Sequence, residues 1–323
     1  MSVISPGFFL RLGMTTATRK RPRNLDLPTM IERYGTEEKC RDFLSELRWP
    51  HGAECPRCFT RDAAPIPKRR QLRCRSCDYR FSVTVGTVFA DSHLPLWKWF
   101  LATYLIIESK KGISAKQLER TLGVTYKTAW YLGHRIRSAM EDDSPVPLKG
   151  IVEIDETYIG GYDRQHPGSG GPHANKTMVM GAVERGGDIR LRVQGGPGRA
   201  SRKARRGFVQ STVDDSAEAI FTDAAPAWGD LSDEDTDHQI VSHRDEEWVR
   251  AQVHTNTVEG VWSLLKRSVT GTYHQLSVKH LPAYLDEISF KFNNRDNPYL
   301  FRDTLLRLID GETLPLEELV NGR

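Results

Sequence analysis

Long apolar runs and abundant cysteine are both missing from this 323-residue chain. No apolar run approaches the roughly 18 to 20 residues that a transmembrane helix requires. A short apolar run at residues 8–10 is followed by Arg11 and is too short for the core of a signal peptide. These absences predict a protein that is not in the membrane, with a cytoplasmic address. Met14 is an alternative to Met1 as the start.

The few cysteines that are present have an informative spacing. Four of the five form two Cys-x-x-Cys pairs with 15 residues between the pairs. They are Cys55, Cys58, Cys74 and Cys77. Two disulfides are the alternative, but they are rare in a reducing cytoplasm, and this spacing lets four thiolates close a tetrahedral zinc site. We therefore predict a zinc ribbon with one structural Zn²⁺ ion. The fifth cysteine, Cys40, recurs with apolar residues at helical spacing and is predicted to be buried in a helix.

Acidic residues are scarce in the first part of the chain. Residues 1–150 carry 26 Lys and Arg against 15 Asp and Glu, a net charge of +11, which leaves −7 for the rest of a chain whose total is +4. A basic region gains affinity for nucleic acid through phosphate contacts and counterion release. We therefore predict double-stranded DNA as the partner, bound mainly by the amino-terminal half.

Between the cysteine pairs and the carboxyl-terminal half, the sequence predicts a helix-turn-helix. An apolar helix at residues 96–107 is followed by a helix capped by Ser114, and Gly123 then leads into Thr125 as the cap of the next helix. The residues predicted to meet DNA are Thr125, Tyr126 and Lys127 in a groove, and His134, Arg135 and Arg137 at phosphates. A plain helical bundle is the alternative, because such helix patterns are also common in protein cores.

Three acidic residues of the carboxyl-terminal half have the settings expected of a metal site. Asp155 and Asp223 each end a short apolar run, so both are predicted near the ends of buried strands. Glu259 lies in a helical pattern, and Lys266 follows it by nearly two turns on the same face. Carboxylates that share a small space need a cation to neutralise them. This arrangement is typical of divalent-metal chemistry on phosphates.

Several motifs around these positions resemble one known family. Residues 254–267 read HTNTVEGVWSLLKR, GTYH follows at 271–274 and FNNR at 292–295, while residues 155–161 read DETYIGG. They resemble insertion-sequence transposases of bacteria that are related to the Merlin transposons. Those enzymes join an amino-terminal zinc ribbon to a DDE catalytic domain of ribonuclease H-like fold. The resemblance covers roughly residues 30 to 310.

The resemblance implies the catalytic residues by position. The implied set is Asp155, Asp223 and Glu259 as ligands of two Mg²⁺ or Mn²⁺ ions, with Lys266 as the basic partner. Asp223 is followed by alanines and a proline rather than by the family's glycine and aromatic residue, so Asp214 and Asp215 are alternatives for the second acid. Some relatives use asparagine as the third ligand, which makes Asn256 an alternative to Glu259.

The predicted fold class is a multidomain α+β protein. It comprises a basic flexible tail (1–35), a zinc ribbon with a preceding helix (36–92), a helix-turn-helix DNA-binding domain (93–145), a ribonuclease H-like α/β catalytic domain with a mixed sheet (146–312) and a carboxyl-terminal tail (313–323). A basic run at residues 199–206 precedes the Asp223 strand, and its residues Arg202, Lys203, Arg205 and Arg206 are candidates for holding flanking DNA. A plain exposed loop is the alternative.

Together these features predict a DDE transposase of a bacterial insertion sequence. Such an enzyme binds the terminal inverted repeats of its element and catalyses metal-dependent DNA cleavage and strand transfer, as a homodimer or higher oligomer because two ends are joined. One alternative is a ribonuclease H-like nuclease that hydrolyses but never joins strands. Another is a catalytically inactive, transposase-derived regulator that only binds DNA. Retention of all three acids argues against the regulator.

Overall fold

The computed structural model describes most of the chain. The described residues are 25–67, 69–160, 176–194, 201–223, 228, 231, 237–241, 253–274 and 276–321. Both possible start residues, the greater part of the predicted basic tail, the glycine-rich stretch after Gly160 and most of the acidic run at 229–237 lie outside them.

Two capped helices precede the cysteine pairs. Helix α1 (Leu27–Tyr34) begins after Asp26, whose side chain accepts from the Thr29 backbone, and α2 (Glu37–Arg48) follows it. The apolar faces of α1 and α2 are buried, with Met30 and Tyr34 in the amino-terminal core. The predicted tail at 1–35 is therefore too long, because its last residues form a packed helix. The prediction that Cys40 is a buried helix residue is confirmed, since it is 0% exposed in α2.

A small antiparallel sheet carries the cysteine pairs. Its strands are β1 (Ala63–Pro65), β2 (Leu72–Cys74) and β3 (Arg80–Phe81), in the order β1-β2-β3. The core behind it is small, with Cys55, Cys74 and Phe81 as its buried members. A sheet of this size buries too little apolar surface to be stable without a metal or a disulfide.

Three helices follow the ribbon. They are α3 (Leu96–Glu108), α4 (Ala115–Leu122) and α5 (Tyr126–Ser138). Ser114 and Thr125 cap α4 and α5 as predicted, each accepting a backbone N–H three residues on at 3.2 Å. Gly123 has φ 59°, the left-handed conformation that favours glycine at a helix end. The two capped helices and the tight turn between them form the predicted helix-turn-helix.

A five-stranded mixed sheet organises the carboxyl-terminal half. Its strands are β4 (Ile151–Ile159), β5 (Thr177–Glu184), β6 (Ile189–Gln194), β7 (Ala219–Asp223) and β8 (Asp237–Val241). The order is β6-β5-β4-β7-β8, in which β4, β5 and β6 are antiparallel neighbours while β7 and β8 run parallel to β4. This order and these directions are those of the ribonuclease H-like fold, which confirms the predicted fold class.

Helices cover both faces of this sheet. Helix α6 (Arg202–Thr212) packs on one face, and α7 (Asn256–Ser268), its π-helical continuation Val269–Tyr273 and α8 (Leu281–Asn293) pack on the other. The alternative of an exposed loop at 199–206 is therefore wrong from Arg202 onward. Ser201 caps α6 by accepting from Ala204 N, and Phe208 anchors the helix in the core.

The end of the described chain returns to the amino-terminal core. Helix α9 (Leu300–Asp310) places Leu305 and Leu308 there with 0% exposure, and Leu308 O accepts from Val88 N at 3.0 Å. A short helix, α10 (Leu316–Asn321), occupies most of the predicted carboxyl-terminal tail. Among the described residues, every helix is too short or too polar to cross a bilayer.

Candidate active site and metal centre

Asp155 and Asp223 are neighbours at the centre of the large sheet. The parallel register pairs Ile154 of β4 with Thr222 of β7, so the next residue on each strand is one of these two acids. Both are half-buried. Burial raises the pKa of Asp155 to about 7, and the negative charge of Asp223 adds to that rise. Two carboxylates therefore share a partly desolvated space, as predicted from the two apolar runs.

Helix α7 is held over these acids by contacts on both sides of Glu259. The backbone N–H groups of Thr257 and Val258, at the start of α7, donate to Glu153 Oε2 at 2.7 and 3.1 Å. One turn after Glu259, Trp262 Nε1 donates to Asp155 Oδ2 at 2.8 Å. Both acceptors lie on β4, two residues apart. The turn that carries Glu259 is thus fixed on the sheet face to which Asp155 points.

Glu259 and Lys266 are both exposed on α7. The Oε1 atom of Glu259 accepts from Thr255 Oγ1 at 3.1 Å. Lys266 lies nearly two helical turns further on, so both side chains project from the same side of the helix. Asn256, the alternative third ligand, is the first residue of α7 and is also exposed. The carboxylate of Glu259 and the ammonium group of Lys266 therefore lie along one face of α7.

The alternative second acids lie elsewhere. Asp214 N donates to Leu148 O at 2.9 Å, and the Asp214 carboxylate pairs with Lys149 at 3.6 Å and accepts from Ser216. Leu148 precedes Asp155 by seven residues, which is roughly 20 Å along extended chain. Asp214 and the adjacent Asp215 are therefore at the opposite end of the sheet. Of the three candidates for the second acid, Asp223 is the one that the structure places next to Asp155.

The three acids fit a divalent cation in the chemistry of their donors. All of them offer carboxylate oxygens, the ligands that Mg²⁺ and Mn²⁺ prefer. Their oxygens do not form a set within 4.8 Å of one another, whereas the four cysteines are the group of described residues that does. The fit of the three acids therefore depends on the chemistry of their donors.

The four cysteines do form a compact cluster. Two of the sulfur pairs, Cys55–Cys77 and Cys58–Cys74, are 3.6 and 3.5 Å apart, and all four atoms lie within 4.8 Å. A disulfide would require about 2.05 Å. Tetrahedral thiolates at a Zn–S distance of about 2.3 Å lie about 3.8 Å apart, which agrees with the cluster. The donor set therefore fits a structural zinc ion.

Two equivalent turns build this cluster. The backbone N–H of Phe59 donates to Cys55 O at 2.8 Å, and that of Asp78 donates to Cys74 O at 3.0 Å. Phe59 and Asp78, which follow the second cysteine of each pair, have φ 59° and 62°. Each left-handed residue folds the chain back so that both sulfurs of its pair face the same point.

The start of α5 is exposed, as predicted. Thr125, Tyr126 and Lys127 lie on the surface, and Tyr126 is 51% exposed. The Lys116 ammonium lies 5.9 Å from the Tyr126 ring centre. An aromatic ring and several cations therefore share one surface at the helix-turn-helix. Contact of these residues with DNA stays a prediction.

The end of α5 is not available to phosphates. His134, Arg135 and Arg137 are 1%, 2% and 4% exposed, which corrects the prediction made for all three. Arg135 donates to Val88 O and Ala90 O, and Arg137 pairs with a buried acid of α8. His134 packs among aromatic rings, where burial lowers its pKa to about 3. The last turns of α5 face the core because α3 and α8 pack against them.

Helix α6 divides its basic residues in the same way. Arg202, Lys203 and Arg206 are exposed, and they stay candidates for DNA contact. Arg205 is 2% exposed, pairs with Glu156 of β4 through Nε at 2.9 Å and lies over the ring of Trp228. Arg205 is therefore not available to DNA, which corrects its prediction.

Two residues of the site were missed by reasoning from the sequence. Glu153 is 0% exposed and accepts from Arg185 Nε at 2.7 Å as well as from the start of α7. Its signal in the sequence was an acid inside an otherwise apolar strand. Trp262 lies at helical spacing with Val258 and Leu265, a pattern that indicates only a core position. No local pattern indicates that its indole reaches Asp155, which lies 107 residues earlier.

Comparison with known proteins gives two matching families and one relative. An ISXO2-like transposase domain matches residues 147–293, and a transposase zinc-ribbon domain matches residues 35–80. An uncharacterized protein in transposable element ISH50 of Halobacterium salinarum is 30% identical over 273 residues, which cover 79% of this chain and 90% of that protein.

Similarity to solved structures is weak. A chain of the simian T-cell lymphotropic virus intasome in complex with PP2A regulatory subunit B56 gamma matches with a TM-score of 0.30 and 13% identity, over 58% of this chain and 65% of that one. The Mos1 strand transfer complex matches with a TM-score of 0.28 and 12% identity, over 67% of this chain and 79% of that one. Similarity at this level has no bearing on function.

Proposed function

The chain belongs to the insertion-sequence transposases that combine a zinc ribbon with an ISXO2-like DDE transposase domain, and on this basis we propose that it cuts DNA at the ends of its own element and joins the freed 3′ ends to target DNA. The proposal depends mainly on one observation. Asp155 and Asp223 are adjacent on parallel strands, beneath the helix that carries Glu259. An acid pair of this kind favours catalysis over a purely DNA-binding role.

The chemistry assigned to this site is in-line phosphoryl transfer. When bound, divalent cations would supply activation of the attacking water or 3′ hydroxyl and stabilisation of the leaving oxygen. Asp155 is next to Asp223 in the sheet and accepts a hydrogen bond from Trp262 of α7, so it would be the central metal ligand. Asp223 and Glu259 would each complete one set of ligands, and Lys266 would hold the scissile or a neighbouring phosphate.

Recognition of the element's ends is assigned to the amino-terminal half. Its net charge of +11 favours phosphate contact, and the exposed Thr125, Tyr126 and Lys127 at the start of α5 are suited to reading a groove. The exposed cations of α6 are assigned to flanking DNA. Joining two ends in one reaction requires two active sites, so we propose a dimer or a higher oligomer as the working form.

Substitution of the acids tests the catalytic assignment. Asp155→Asn and Glu259→Gln are each expected to abolish cleavage and strand transfer, because loss of a charged ligand removes stabilisation of the transition state. Binding to terminal-repeat DNA should stay within a few-fold of the parent, as a gel shift would measure. Asp214→Asn is the matched control, since that acid lies at the far end of the sheet, and it should retain activity.

Assays on two substrates separate the proposal from its alternatives. An uncut end tests cleavage, and an end with a free 3′ hydroxyl tests joining. Strand transfer by either acid variant at a substantial fraction of the parental rate would contradict the site. Cleavage by the parent without any joining of the pre-cut end would favour the nuclease instead.

A further inference from the structure

Trp262 combines a buried ring with a polar contact at the candidate active site. Its side chain is 4% exposed and packs with the apolar residues of α7 and α8. Its indole N–H nevertheless leaves that apolar environment and donates to Asp155 Oδ2 at 2.8 Å. Trp262 also stands one helical turn after Glu259. It therefore connects the helix of the third acid directly to the carboxylate of the first.

The position of the indole ring depends on a glycine in the neighbouring strand. Gly181 of β5 is paired with Asp155 of β4 in the antiparallel register. A Cβ atom at Gly181 would lie 2.5 Å from Trp262 Cη2 and 2.8 Å from Cζ2, distances that real Cβ contacts essentially never show. These ring atoms lie on the same edge as Nε1. The absence of a side chain at Gly181 thus lets this edge lie across β5 and reach Asp155.

A second buried tryptophan shows that such a bond is not a general property of indoles in this fold. Trp228 is 2% exposed, and its Nε1 has no hydrogen-bond partner among the described residues. At Trp262, by contrast, the donor points at a carboxylate that is itself half-buried. The terminal torsion of an aspartate is broad, so a single directed N–H bond decides which way its two oxygens face.

We propose that Trp262 is a positioning residue of the active site, and that its indole N–H orients the carboxylate of Asp155 for a divalent cation while Gly181 makes room for the ring. The inference rests on the catalytic function proposed above. Hydrogen bonds that orient metal ligands matter energetically, because their loss typically costs about 10- to 100-fold in metal affinity or activity. The bond also ties α7 to β4, so one contact aligns the ligands contributed by both elements.

Binding of Mn²⁺ to the full-length, zinc-loaded protein tests the inference without relying on activity. Free Mn²⁺ is measured by its electron paramagnetic resonance signal during titration. Trp262→Phe keeps a ring and removes only the donor, and we expect it to weaken Mn²⁺ binding about tenfold. Trp228→Phe is the matched control, since it removes an N–H that no described residue accepts, and it should bind Mn²⁺ like the parent.

The glycine supplies an independent variant. Gly181→Ala retains the indole donor but displaces the ring, so a similar loss of Mn²⁺ affinity is expected. Gly207→Ala in α6 is its control, because a Cβ there has no heavy atom within 4 Å. In strand transfer, both Trp262→Phe and Gly181→Ala should raise the half-saturating Mn²⁺ concentration and recover most of the rate at saturating Mn²⁺. A purely structural defect would lower the amount of active protein and leave the half-saturating concentration unchanged.

Asp155→Asn separates failure of this inference from failure of the proposed function. Loss of Mn²⁺ binding in Asp155→Asn together with parental binding in Trp262→Phe and Gly181→Ala would overturn the role of Trp262 alone. Parental Mn²⁺ binding in Asp155→Asn would show that the cation does not bind at this acid. That result would overturn the proposed active site, and the role of Trp262 with it.

Discussion

Buried charged residues link distant elements of this structure, and Glu287 of α8 is the clearest example. It is 1% exposed, with Arg137 Nε at 2.7 Å and Lys291 Nζ at 2.5 Å from its two oxygens. Burial alone would raise its pKa, but the charges of Lys291 and Arg137 hold the pKa of Glu287 below its ordinary value. Tyr273, which follows α7, also donates to it at 3.3 Å. One carboxylate therefore joins α5 to the catalytic half.

Removing the Glu287 carboxylate is expected to lower the free energy of unfolding substantially. Glu287→Ala leaves Arg137 as a buried cation without its carboxylate and removes the acid that Lys291 pairs with, and breaking a buried pair costs about 3–5 kcal/mol. Denaturant unfolding of the full chain measures the change. Glu317→Ala, at an exposed position of α10, should stay within about 0.5 kcal/mol of the parent. If Glu287→Ala lowered the free energy of unfolding by less than about 1 kcal/mol, Arg137 and Lys291 would have found other partners or water.

The five thiols should separate into two groups. Burial raises the pKa of Cys40 to about 12, and its sulfur contacts Tyr34 O, so it should not react in the folded protein. We propose that the other four are held by one zinc ion per chain. A disulfide-forming reagent should then find four thiols after chelation and the fifth only in denaturant. Elemental analysis should give one zinc. Four reactive thiols without chelator, and no zinc, would contradict the zinc site.

At the scale of elements, α5 shows how one helix serves two purposes. Its first residues are exposed and include Lys127, while its last two turns are buried between α3 and α8. Lys127 stands at one end and Arg135 and Arg137 at the other, so the pattern of cations gives no local sign of which end is buried. Arg137 binds a residue 150 positions later, so the helix-turn-helix and the catalytic half share a core. Of the α5 residues predicted to meet DNA, those at its start are exposed and those at its end are buried.

The exposure of the start of α5 predicts that substitutions of Lys127 and Lys149 differ in their effect on DNA binding. Lys127→Ala should reduce the preference for terminal-repeat over random DNA, because a side chain that reads a base edge contributes about 1–3 kcal/mol of discrimination. Lys149→Ala, an exposed lysine at the far end of the sheet, is the control and should leave both affinities close to the parent. Gel shifts at two salt concentrations measure both quantities. Equal weakening on both DNAs would place Lys127 at a phosphate instead.

At the scale of the whole molecule, the two halves of the chain are interleaved. Helix α9 follows the catalytic sheet in sequence, yet it packs with α2 and α3 in the amino-terminal core. Leu305 and Leu308 are 0% exposed there. The boundary expected near residue 145 therefore does not separate two independent cores, and the amino-terminal half needs a helix from the other end of the chain.

A fragment of residues 1–145 should accordingly be less stable than the same region of the full chain. Without α9 the core loses several buried side chains, and Leu→Ala at one such site already costs about 2–5 kcal/mol. Hydrogen exchange should show weak protection of α3 in the fragment. Addition of a peptide spanning residues 297–313 should restore it, whereas the same peptide with Leu305→Ala and Leu308→Ala should not. Full protection of α3 in the fragment alone would show that α9 is dispensable.

Features that depend on short stretches of the chain were predictable from the sequence. The cysteine spacing, the caps at Ser114 and Thr125, and the acids at the ends of apolar runs all depend on neighbours within a few residues. Helix periodicity and strand alternation are local in the same sense, which is why the mixed sheet and the position of Glu259 on a helix were foreseeable. The family motifs added the order of the three acids.

Features that depend on distant partners were decided only when the chain folded. An arginine is equally polar whether it meets phosphate or a buried carboxylate, so Arg137 and Arg205 could not be distinguished from surface cations until Glu287 and Glu156 lay beside them. In the same way, the indole of Trp262 bonds Asp155 only because antiparallel pairing sets Gly181 opposite that acid. Burial and pairing between distant residues are properties of the packed fold, because the polar groups lose their water only when the fold has formed.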